Sequence, residues 1–302
     1  MSAAAPDQPM TAHVDPRVPA DKKLFLWSVR RELWENRSLY IAPLAVAAVA
    51  LVGFFISTFL GIWESQLRLD AEKPGTPFDL VAGLLMLTSI MVSVFYSQEA
   101  LHSERRDRSI LFWKSLPVSD ATTVLSKASI PLVVVPLTAF AVTFATQWIM
   151  LLWSTLIVKA SGQSAATLWS RLSFFQMSLL VFYHFATAHA LWPMPVYSWI
   201  LLVSGWARRA VLLWALLPVL VIGALEGIFY RTAHFPLFVF SRLMGDAPTI
   251  AHGSQSTFPL DPAKTHIAPG MFLTSPALWL GLIFSAVCLL LAIRLRRYRG
   301  PI

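Results

Sequence analysis

The sequence predicts an all-α integral membrane protein, and three observations carry that reading. Of its 302 residues 56% are hydrophobic and only 13% are charged, against about 25% charged in soluble domains. Mean hydropathy is +0.62. The apolar residues gather in runs of about 20, the length at which a helix crosses a bilayer. A net charge of +8 in so apolar a chain points to cationic loops on the cytoplasmic face rather than to nucleic acid. The lone cysteine, Cys288, lies in an apolar run, which excludes an internal disulfide and a multi-cysteine metal cluster.

Residues 1–20 are rich in Ala and Pro and lack the continuous apolar core of a signal peptide, so they read as a disordered cytoplasmic tail. Residues 21–37, DKKLFLWSVRRELWENR, space Trp27, Val29, Leu33 and Trp34 against Arg30 and Arg31 with helical periodicity. They predict an amphipathic helix lying in the membrane surface, with Asp21 as its cap.

A transmembrane domain follows over 39–293. Its first two spans are expected at about 39–62 and 78–100, joined by the mildly acidic loop ESQLRLDAEKPGTP, and the third at about 130–156, with Pro131 and Pro136 near its start. Residues 169–206 are almost continuously apolar, too long for one crossing and too short for two, and are interrupted by Pro193 and Pro195. Two crossings there would put the arginines of the basic tail 294–302 opposite the N-terminal basic helix, against the positive-inside rule. One broken element is therefore expected, followed by a fifth span at about 210–229 and a sixth at about 274–293. Within the long connection 230–273, residues 235–240 are apolar but too short to cross, which suits a re-entrant or interfacial piece.

With six spans and both termini cytoplasmic, the inner segments hold 17 of the 24 basic side chains and 9 of the 16 acids. The entire net charge then falls on one face. This predicts a multi-pass protein of the cell (cytoplasmic) membrane.

Signatures of catalysis are missing: the chain has no H-E-x-x-H, no G-x-S-x-G and no phosphate-cradling G-x-x-x-x-G-K-[ST]. The expectation is a non-enzyme that binds no cofactor and no metal. His184 and His189 stand five residues apart, about 140° around an α-helix, and so do not share a face; they are read as packing residues or as part of a polar path, with a metal or proton site as the alternative. Ser89, Ser93 and Ser97 form a four-residue stripe that suits close helix packing or a substrate path. Gly223 and Gly227 form a G-x-x-x-G. Glu226 between them is read as an anchor reaching water or Arg231, or as a path residue.

The most informative segment is the first inner loop, where Glu99, Glu104 and Asp107 interleave with Arg105, Arg106 and Arg108 before Ile110, Leu111, Phe112 and Trp113. Charges of both signs supply directional ion pairs, which favours a protein partner over lipid alone. A short surface helix is expected near 102–115.

At this loop the chain resembles the permease subunits of type-2 ATP-binding-cassette (ABC) exporters. The residues that carry the resemblance are Glu104, Arg105, Ser109, Ser115, Leu116, Pro117, Val118 and Ser119, directly after the second span. The overall layout, with its N-terminal amphipathic helix, six spans and large loop before the last, is similar as well. The resemblance implies that residues 102–115 are a coupling helix docking into a cytoplasmic ATPase, with Glu99, Glu104–Arg108, Leu116 and Pro117 as contacts. It further implies that Trp27, Arg30, Arg31 and Trp34 belong to a connecting helix, that ATP and Mg are bound by the partner ATPase, and that a second permease copy completes the transporter. Two alternatives stay open on the residues alone. One is a membrane-embedded lipid-modifying enzyme using Tyr183, His184, His189 and Glu226; the other is a noncatalytic membrane anchor for a partner.

Overall fold

The computed structural model describes residues 21–61, 76–115, 118–162, 164–171, 174–245, 247, 250–252, 265–267 and 269–298. Expectations for the 1–20 tail, for Leu116 and Pro117 and for residues 299–302 lie outside them.

Helix α1, Asp21–Glu35, leads almost directly into α2, Ser38–Phe59. The break is made by Asn36, whose backbone and side-chain N–H groups both return to the Glu32 carbonyl, at 3.0 and 3.1 Å. Helix α3, Thr76–Glu99, is separated by one turn from the short α4, His102–Arg106. The expected helix over 102–115 is in fact two pieces. Arg108 takes a left-handed φ of +57° and ends α4 before α5, Ile110–Ser115, begins.

Helix α6, Asp120–Ser129, runs through a π-turn at Ile130–Val134 into α7, Val135–Ala160. The helix thus begins ten residues before the expected third span. Hydropathy does not register this polar stretch, but its start is locally encoded. The Ser119 hydroxyl accepts the Thr122 N–H at 3.0 Å, and Asp120 sits in the first turn, where the helix dipole favours an acid. Pro131, which has no N–H to give, lies in the widened turn.

The fourth expected crossing is the least regular. After α8, Ala165–Arg171, it comprises α9 (Phe174–His184), a π-segment at Phe185–Leu191, and α10 (Met194–Trp206), which starts just after Pro193. Neither α9 nor α10 alone has the length to span a bilayer. Then come α11, Val211–Tyr230, and α12, His234–Leu243, which contains the short apolar run 235–240. A three-residue ribbon pairs Ile250–His252 antiparallel with Thr265–Ile267. Last are α13, Pro269–Leu273, and α14, Pro276–Tyr298.

Among the described residues, five helices are long and apolar enough to cross a membrane: Ser38–Phe59, Pro77–Arg106, Asp120–Ala160, Val211–Tyr230 and Pro276–Tyr298. Helix α10 is the centre of the packing, against α14, α3 and α11, while α2, α3 and α7 form a second group. Small residues at the contacts, including Ala47, Ala82, Ala139, Ala188 and Ala292, let the helices approach closely. Large aliphatic side chains such as Val49, Ile56, Leu220, Ile228, Leu280 and Leu290 point outward instead. Such a surface suits lipid and would be an aggregation hazard in water.

Replacing Ser119 by Ala should cost about 1 kcal/mol through loss of the α6 cap, whereas Ser119→Asp should be nearly neutral. Thermal unfolding of the detergent-solubilised chain checks this: the midpoint should fall for Ala and hold for Asp.

Candidate functional site

The loop after α3 is rooted in the bundle by side chains that sequence reading assigned to an outside partner. Glu104, on α4, is only 5% exposed. Its Oε1 lies 3.2 Å from Lys127 Nζ on α6 and 3.2 Å from Arg31 Nη2 on α1, and its Oε2 accepts from Arg296 Nη1 on α14. Lys127 Nζ also donates to Glu32 Oε1 at 2.8 Å, and Arg296 Nε to Asp120 Oδ1 at 3.1 Å. Tyr96 Oη, from the end of α3, donates to Glu32 Oε2 at 2.8 Å.

Three cations (Arg31, Lys127, Arg296) therefore face three carboxylates (Glu32, Glu104, Asp120) across four helices. Fixed opposite charges at these distances stand in for the water that burial removes. Glu35, at the rim, pairs with Arg31 Nε at 3.3 Å. Partial burial pushes its carboxyl above the usual value, against the opposing pull of Arg31.

Arg105 is equally enclosed. Its Nη1 donates to the Gly205 carbonyl at 2.8 Å and the Ala207 carbonyl at 3.4 Å. It thus closes the C-terminus of α10, where the helix dipole favours a cation. His102 Nδ1 lies 3.3 Å from the same Ala207 carbonyl. The Arg31 guanidinium stacks 3.8 Å from the Trp113 ring centroid, which ties α5 to α1.

The expected contact set thus divides. Glu104 and Arg105 face inward, because each finds buried partners within the chain, and this corrects their assignment to an external surface; Arg31, of the expected connecting helix, turns toward Glu104 as well. Glu99, Arg106, Asp107 and Arg108 stay exposed, with Arg106 paired to Asp107 at 3.1 Å and near Glu99 at 3.7 Å. Leu111 and Phe112 extend this exposed face. On α1, Trp27 and Trp34 are exposed with the Arg30 guanidinium between them, 5.7 and 5.0 Å from the ring centroids.

Elsewhere the structure rearranges several expectations. His184 and His189 do come together, with ring centroids 5.5 Å apart. The π-segment bonds each residue to the fifth one on, as in Trp192 N–H to Thr187 O at 2.9 Å, so residues five apart fall on one side instead of diverging by 140°. The reading that they do not share a face is corrected on that ground. Ser89, Ser93 and Ser97 are fully enclosed by neighbouring helices, the Ser97 hydroxyl bonding the Ser93 carbonyl at 2.7 Å, so the stripe lies in the packing. Glu226 accepts the Phe235 N–H of α12 at 3.0 Å rather than reaching Arg231. Gly223 lies under Pro236 of α12, where a Cβ would overlap that ring, which gives this half of the G-x-x-x-G a contact inside the chain.

Among the described residues, no group of three or more His, Cys, Asp or Glu side chains could hold a metal ion. Sequence reading missed Glu32, Lys127, Asp120 and Arg296 as partners of the loop. The one available signal was Lys127, a cation in the last turn of α6 just before the apolar run.

Fold and site together define a multi-pass helical membrane protein whose helices are joined at one end by a buried ionic hub. No family model, curated protein or solved structure matches the chain.

Removing one partner strands the rest of a buried network, at a typical cost of about 3–5 kcal/mol. Glu104→Gln and Lys127→Met should each destabilise strongly, and the double variant should lose clearly less than the two losses added together. Equilibrium unfolding in detergent, read as a double-mutant cycle, checks the coupling.

Proposed function

We propose that the chain is the membrane-spanning permease subunit of an ATP-driven ABC exporter of type 2. It pairs with a second copy and is moved by separate cytoplasmic ATPase subunits that bind ATP and Mg. On this reading Phe174–Trp206 is the fourth crossing and brings the total to six, both termini are cytoplasmic, and the dimer has about twelve spans. The observation that carries the reading is the division of the loop between 99 and 113. Glu104 and Arg105 root it in α1, α6, α10 and α14, while Glu99, Arg106, Asp107, Arg108, Leu111 and Phe112 remain outside with mixed charge and an apolar edge.

An element that transmits force must be stiff and anchored at more than one point, because a flexible loop absorbs motion before the spans respond. The ionic hub meets that need, since ion pairs are directional where apolar contacts tolerate sliding. The exposed face offers an ATPase charges of both signs for orientation and two large apolar side chains for burial. Conformational change would then pass from that face through Glu104 to α6 and α14, and through Arg105 to α10. Sequence resemblance supplies the ABC assignment and the direction of export.

Two experiments test the reading. Arg106→Ala combined with Phe112→Ser should lower the ATPase recovered with the chain from native membranes at least five-fold, with the thermal midpoint unchanged because neither side chain belongs to the hub. Undiminished recovery rejects this face as the docking site. A tag after Ile302 should be unreactive to an impermeant reagent in intact cells and reactive after permeabilisation. Labelling in intact cells rejects the six-span topology.

A further inference from the structure

A second polar cluster sits at the other end of the bundle. Helix α12 lies against the start of α14 and buries Arg242 there, at 4% exposure. Its Nη1 donates to the Trp192 carbonyl at 3.2 Å, its Nη2 donates to the Ala277 carbonyl, and its guanidinium carbon lies 4.4 Å from the Trp192 ring centroid. Gly281 leaves the room for this, since a Cβ there would overlap the guanidinium. Carbonyls and an aromatic face solvate the cation but do not neutralise it. Among the described residues no carboxylate forms an ion pair with Arg242.

The neighbouring polar atoms are unanswered in the same sense. Among the described residues, Arg242 Nε and Trp192 Nε1 are buried donors without a partner, and both ring nitrogens of the buried His189 lack one as well. These groups belong to two segments running against each other. Trp192 follows His189 by three residues, and Gly245 follows Arg242 by three, with its Cβ position 3.3 Å from His189 Cε1. A buried donor left unpaired is costly, so the cluster holds unpaired N–H groups beside an unneutralised guanidinium, a combination that an anionic acceptor relieves.

Depth narrows the choice of acceptor. Ala277 and Arg296 are 19 residues apart on one helix, a rise of about 28 Å, close to the roughly 30 Å of a bilayer's hydrocarbon core. The Arg242 cluster therefore sits at the hydrocarbon edge opposite the ionic hub, next to the layer that holds phospholipid phosphates.

We propose that Arg242, Trp192 and His189 form a binding site for an oxyanion of the phosphate class. A phosphate presents oxygens in several directions and so can accept from donors on both segments, and its charge pairs with the guanidinium. The phosphate comes either from a phospholipid headgroup or from a soluble ion, and the test separates the two. No ATPase is needed for binding, so the result is independent of the transport reading.

The full-length chain, delipidated in a neutral detergent, is titrated in one arm with short-chain phosphatidylglycerol and in the other with inorganic phosphate. Thermal midpoint is followed in both arms and bound adducts by native mass spectrometry in the lipid arm. A saturable rise in at least one arm is expected, and the responding arm identifies the source. Arg242→Gln should weaken that response at least ten-fold and Arg242→Lys less. Trp192→Phe, which keeps the ring under the guanidinium and removes only the N–H, should weaken it about three-fold and decides the matter if Arg242→Gln does not fold. No saturable response in either arm, or an unchanged affinity in Trp192→Phe and Arg242→Gln, overturns the proposal.

Discussion

An ionised carboxylate held out of water has to be answered by charge from its own chain, and Glu104 is the point where that requirement shapes this protein. Isolated, it would cost several kcal/mol. With Lys127, Arg31 and Arg296 around it, the same burial fixes the relative positions of α1, α4, α6 and α14. Such a network adds less net stability than a well-packed apolar cluster of the same volume. What it adds is register, because an ion pair breaks on a slip that leucines would accommodate.

The rest of the molecule obeys a different solvent. In lipid, each backbone N–H and C=O has to be satisfied within the protein, which leaves helices and penalises every interruption. The interruptions present are placed accordingly. The break at Trp192–Pro193 is buried among neighbouring helices, and Pro131 falls in a π-turn that absorbs its missing N–H. Polar side chains within the bundle return to nearby carbonyls, as Thr143 does to Ala139 at 2.8 Å, or tie one helix to the next, as Gln147 does to Phe78 O at 3.2 Å.

Regular crossings were legible because hydropathy measures the same quantity that lipid selects. The expected 39–62, 78–100, 210–229 and 274–293 differ by a few residues from Ser38–Phe59, Thr76–Glu99, Val211–Tyr230 and Pro276–Tyr298. What escaped had two causes. Geometry defeated the histidine reading, since an α-helical period was applied to residues that a π-segment brings to one side. Distance defeated the hub, whose partners Glu32, Glu104, Lys127 and Arg296 are separated by 23 to 192 residues along the chain. Each alone looks like an ordinary charge at the edge of a span. Only the three-dimensional fold shows that Glu104 and Arg105 are buried against other helices while Arg106 and Asp107 stay at the surface.

Helix α14 carries no glycine or proline between Gly281 and Tyr298. Its two ends are gripped by unrelated chemistry, Ala277 by the Arg242 guanidinium and Arg296 by Glu104 and Asp120. A rod clamped in this way has little compliance along its axis. A shift of an ångström or a few degrees of roll at one membrane face would reach the other almost undiminished, a mechanical linkage across the bilayer made from a single unbroken element.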